Sequence, residues 1–90
     1  MNRIVIDGNT IDSRESLFHA LRSQLGEDLL TGNNLDALHD ALTSITVHTV
    51  IEVRNPAKLA ETLGDYWKRI FWMLNDCLDE NRDLKLELTE

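Results

Sequence analysis

The chain has 90 residues, 42% of them hydrophobic and 28% charged. This excludes a disordered chain and sets a single domain, residues 1–90, with one modest core and a stability of about 5–10 kcal/mol. Sixteen acids against nine bases give a formal charge of −7, the opposite of what a nucleic-acid binder or a membrane-surface helix needs.

In chain order, the β-branched run RIVID (3–7), ending at Gly8, predicts a strand. The stretch DSRE (12–15) has the spacing of a helix-start capping box, with Asp12 or Ser13 as cap. Leu17, Phe18, Leu21 and Leu25 then form an apolar stripe at helical spacing, and Gly26 suits the stop. Residues 27–33 (EDLLTGN) have no periodicity and read as a loop. Asn33 or Asn34 caps the next helix, whose apolar stripe is Leu35, Leu38 and Leu42. Residues 46–54 (TVHTVIEVR) predict a second strand, expected at the centre of the sheet because Val50, Ile51 and Val53 have few charged neighbours.

Asn55-Pro56 starts a third helix that runs to about Gly64. Asp65 can cap a fourth, with Trp67, Ile70, Phe71, Leu74 and Leu78 as its buried face and Asn81 as its stop. The alternating LKLEL (84–88) predicts a third strand in an edge or half-covered position. The order is strand, two helices, strand, two helices, strand. It predicts an α/β fold: a small three-stranded parallel sheet with about four helices, mainly on one face.

Cys77 is the only cysteine, so no internal disulfide can form. The opening MNRIVIDGN has too short an apolar run for a signal peptide, and no segment has the length of a membrane span. A cytoplasmic location is expected.

Charge is unevenly spread. No Lys or Arg occurs from Ser23 to Val53, where Glu27, Asp28, Asp36, Asp40 and Glu52 lie. Residues 76–90 carry six acids against Arg82 and Lys85. Folded side by side, these segments would make one negative surface, suited to a basic protein partner; ordinary solubility is the plainer explanation. Asp36 and Asp40 are one helical turn apart and repel by about 0.2–0.5 kcal/mol. The helix dipole favours Asp36 in the first turn, but it does not reach Asp40. A helix face that costs stability is a candidate for function.

Other chemistry has weaker support. The four glycines are scattered, so there is no phosphate-binding loop, and no nucleophile elbow occurs. His39 beside Asp36 and Asp40 has a spacing that could touch a metal ion, but no second His or Cys cluster completes a shell. The same residues could serve an acid–base enzyme, which would need a cleft that a domain this small rarely holds. No cofactor is implied. Cys77 reads as a packed residue, and Trp67, Trp72 and Tyr66 as core or near-core packing rather than a base-stacking platform.

The stretch TGNNLDALHDALT (31–43) resembles the central motif of the barstar family, intracellular inhibitors of a secreted ribonuclease. The match is carried by Gly32, Asn34-Leu35-Asp36-Ala37-Leu38, Asp40, Leu42 and Thr43. The opening RIVIDGNTI, the central strand and the closing RDLKLEL fall where that family has them, so the resemblance covers the full chain.

It implies an inhibitor, not an enzyme, that plugs the active site of a basic ribonuclease and is a monomer when free. By position, Asp40 would enter the nuclease's phosphate-binding site and Asp36 would pair with a nuclease Arg or Lys. Asp76 would add to the negative patch, and Gly32, Asn34, Leu35 and Thr43 would shape the contact surface. The sequence departs from the family at Leu30 and Thr31, which stand at aromatic positions, at His39 in place of a tryptophan, and at Ser44 in place of a glycine. With these anchors gone and the acids kept, the resemblance points to a basic nuclease other than barnase. A barstar-shaped module serving a non-nuclease partner is the remaining alternative.

Overall fold

The computed structural model describes residues 2–89; Met1 and Glu90, the last of the six acids counted above, lie outside them. The elements are β1 (Asn2–Asp7), α1 (Arg14–Leu25), α2 (Leu35–Thr43), β2 (Thr49–Arg54), α3 (Pro56–Leu63), α4 (Asp65–Glu80) and β3 (Leu84–Thr89). The strands form one parallel sheet in the order β1-β2-β3, with Ile4 beside Ile51 and Ile51 beside Leu86. Each step across the sheet goes in the same direction, and right-handed crossovers then place both helix pairs on the same face.

Strand side chains alternate between faces. Ile4, Ile6, Ile51, Val53 and Leu84 point into the core. They meet Leu17, Phe18 and Leu21 of α1, Leu38, Ala41 and Leu42 of α2, Leu59 of α3, and Trp67, Ile70, Met73, Leu74 and Cys77 of α4. Each large side chain buried this way contributes about 1.5–3 kcal/mol. The other face carries a charged lattice: Arg3 donates to Glu52 (2.6 Å) and Glu87 (2.9 Å), and Arg54 also donates to Glu52. The outer edge of β1 is closed by Gln24 of α1, which accepts from Val5 N (2.7 Å) and donates to Val5 O (2.8 Å). A side chain there blunts an otherwise open strand edge.

The element ends follow the sequence with local shifts. Ser13 caps α1, but its capping-box partner is Ser16, not Glu15. Gly26 ends α1 at φ +94°, a conformation that favours glycine. Gly8 is required for space, since a Cβ would lie 2.4 Å from the Asn55 carbonyl oxygen. Asp65 is the first residue of α4 rather than its cap, which is Gly64. β2 begins only at Thr49, because Thr46, Val47 and His48 turn outward and are exposed.

Two expectations about packing are corrected. On α4 the buried face includes Met73 and Cys77, while Phe71 and Leu78 are only partly covered. Trp72 is not near-core packing: it is 66% exposed. At 100° per residue it projects away from the Ile70–Leu74–Cys77 stripe.

Candidate functional site

The second helix, α2, begins with Asn34, whose side-chain oxygen accepts from Ala37 N at 2.8 Å. Leu38, Ala41 and Leu42 anchor one face in the core, and Leu35 is half-buried against it. This anchoring fixes the opposite face. Asp36 and Asp40 lie on that face and are both exposed, the Asp40 side chain at 85%. Among the described residues no Lys or Arg comes within ion-pair distance of either. The nearest positive candidate is His39 Nδ1, 3.8 Å from the Asp40 carboxylate.

His39 turns the other way and bonds α4: its Nε2 lies 2.5 Å from Glu80 Oε2. Next to that contact, Asn81 Nδ2 donates to the carbonyls of Leu42 (3.0 Å) and Ile45 (2.9 Å). These bonds fix the later turns of α2 against the end of α4. They bring Glu80, at the end of α4, against His39 of α2, and Asp76 is exposed one turn earlier on the same helix. Thr43 is half-buried and donates to the His39 carbonyl at 2.8 Å, and Ser44 donates to the Asp40 carbonyl at 2.6 Å.

The loop before α2 is tied down by Arg22. Its Nε donates to the Leu30 carbonyl (3.1 Å), and one terminal nitrogen donates to the Gly32 carbonyl (3.3 Å) and the Asn33 side chain. The last cation before the base-free stretch is thus engaged by backbone oxygens and the Asn33 side chain, not by the acids. Leu30 N also bonds the Gly26 carbonyl (3.1 Å), and the loop folds inward. As a result the Leu30 side chain is fully buried in the core and cannot touch a partner, against the expectation from sequence. Thr31 is exposed, and Gly32 is half-buried against Ala37 and Asn34.

Among the described residues no group of three or more His, Cys, Asp or Glu side chains could hold a metal ion, so Asp36, His39 and Asp40 do not form the proposed ligand set. A cavity of about 520 Å³ lies elsewhere, lined by Arg3, Gln24, Leu25, Ile45 and Val47 among others. Burial pushes the Cys77 thiol up to about 11, with Glu80 and Asp76 adding to the shift. It is a packed group, as expected.

A family model described as Barstar (barnase inhibitor) matches residues 1–89. The chain belongs to the barstar family. A comparison with curated proteins finds no match. The three-stranded parallel sheet with four helices is the fold the barstar resemblance implied. Sequence reasoning missed three residues that position α2 and the loop before it: Arg22, Glu80 and Asn81. Glu80 had a signal, since it follows Asp76 by one helical turn. Arg22 and Asn81 act on backbone carbonyls distant in sequence, which no local pattern marks. Among the described residues no helix is long and apolar enough to cross a membrane.

Proposed function

We propose that the chain is a cytoplasmic inhibitor of a basic ribonuclease, monomeric when free, that covers the nuclease active site with α2 and the loop before it. It performs no chemistry. Asp40 occupies the position of a substrate phosphate, where a carboxylate can accept paired hydrogen bonds from arginine. Asp36 pairs with a second cation, and Asp76 extends the negative field. Thr31, Gly32, Asn34, Leu35 and Thr43 border the contact. His39, held by Glu80, occupies the family's tryptophan position as a polar contact.

One observation carries this reading: two exposed carboxylates sit a helical turn apart on a rigid helix with, among the described residues, no Lys or Arg within ion-pair distance. Opposite fields on the partners speed encounter.

The test is an RNA-cleavage assay with barnase and other small basic ribonucleases, with and without the chain. Inhibition that weakens as salt rises and is lost in Asp36→Asn/Asp40→Asn supports the proposal. If no nuclease is inhibited, and a pull-down from cell extract instead recovers an unrelated protein, the reading is wrong and the module serves another partner.

A further inference from the structure

An exposed tryptophan is the largest feature of the surface that the acidic helix face leaves unexplained. Trp72 is 66% exposed, whereas the other tryptophan, Trp67, is buried at 6%. Isolated exposed leucines or valines are ordinary, but a bare indole forgoes more burial than any other side chain. Nothing in the fold requires it there. Among the described residues it makes no aromatic pair, and the cation–π contact found joins Arg14 to Tyr66, at 4.0 Å, not Lys68 or Arg69 to Trp72.

Its position is specific. Trp72, Asp76 and Glu80 recur every four residues along α4 and share one exposed stripe about 12 Å long. The far end of that stripe touches His39 of α2 through Glu80. The indole therefore stands between two charges of its own helix, Lys68 exposed one turn before it and the Asp76 carboxylate one turn after it, on the side that leads to His39. A tryptophan face is the best aromatic acceptor for a cation, and a carboxylate one turn on would hold the same cation from its other side. Meanwhile Thr31 and His39 present no large aromatic from the loop and α2, and Leu30 is buried.

Resting on the inhibitor reading above, we infer that Trp72 is the aromatic anchor of this interface. It contacts the same basic nuclease by stacking under an arginine or lysine side chain that also meets Asp76. The anchor is thus supplied from α4 instead of from the loop, and it sets which nuclease is bound.

The experiment measures inhibition of barnase and of a panel of small basic ribonucleases by the wild-type chain and by Trp72→Ala, Trp72→Phe and Asp40→Ala. Sedimentation and a thermal melt of each free variant run alongside. The expected result is that Trp72→Ala weakens inhibition about tenfold or more, that Trp72→Phe restores most of it, and that both melt with the wild type. Inhibition that falls with Asp40→Ala but stays within about twofold in Trp72→Ala would overturn the anchor while leaving the inhibitor reading intact. A wild-type dimer made monomeric by Trp72→Ala, with inhibition unchanged, would assign the indole to a second copy of the chain and also overturn it. If the wild type inhibits no nuclease in the panel, both readings fail together.

Discussion

Asp36 and Asp40 look equivalent in the sequence but differ physically. Asp36 lies in the first turn of α2, where the helix dipole contributes about 0.3–1 kcal/mol to a negative side chain. Asp40 lies beyond that turn and is left with the repulsion from Asp36. Asp36→Asn should therefore leave the melting temperature nearly unchanged, the lost dipole term offsetting the relieved repulsion. Asp40→Asn should raise it slightly, by the equivalent of about 0.2–0.5 kcal/mol. Calorimetry of the two variants checks this. A different residue shows the packed interior: with its thiol pushed up to about 11, Cys77 should react with a thiol reagent at pH 8 only on the unfolding timescale, which is read from the rate with and without denaturant.

Among the elements, the contact between α2 and α4 depends on Asn81. Replacing it with Ala takes away the side-chain donor to the Ile45 carbonyl and one of the donors to the Leu42 carbonyl, which keeps the Ile45 N–H, at a cost of about 1–3 kcal/mol that a denaturant melt would read. The sheet's open face has its own signature. Arg54 first, and Arg3 after it, hold the Glu52 carboxyl below its ordinary value of 4.5. A carboxyl with a lowered folded-state pKa stabilises the fold above its unfolded value, and that stabilisation fades as the pH falls through the folded value. Acid titration below pH 4.5 should therefore destabilise the wild type more than Glu52→Gln. The elements themselves were legible because apolar side chains recur at helical or strand spacing, and β2 is central because it is apolar. The exposure of Trp72 was also within reach, since its helical phase opposes Ile70 and Leu74; counting aromatics as core concealed it. The burial of Leu30 was not, because it depends on Arg22 reaching across the chain to loop carbonyls. Nor was the His39–Glu80 contact, which joins residues 41 positions apart.

For the whole molecule, a net charge of −7 should govern kinetics more than fold. The association rate with a basic nuclease should fall steeply between about 50 mM and 500 mM salt while dissociation changes little. Over the same range the free chain should melt slightly higher as its self-repulsion is screened. The motif's acids were readable from sequence because no base lies near them along the chain. That none folds back onto them needed the three-dimensional arrangement, in which Arg22, Arg3 and Arg54 are all engaged elsewhere. The most direct measurement pairs titration calorimetry against an inhibited nuclease with a thermal melt, for the wild type and Asp40→Ala. The predicted result is a loss of more than about 2 kcal/mol in binding with a melting temperature equal to or above that of the wild type. Unchanged affinity, or a variant that unfolds, would contradict the account.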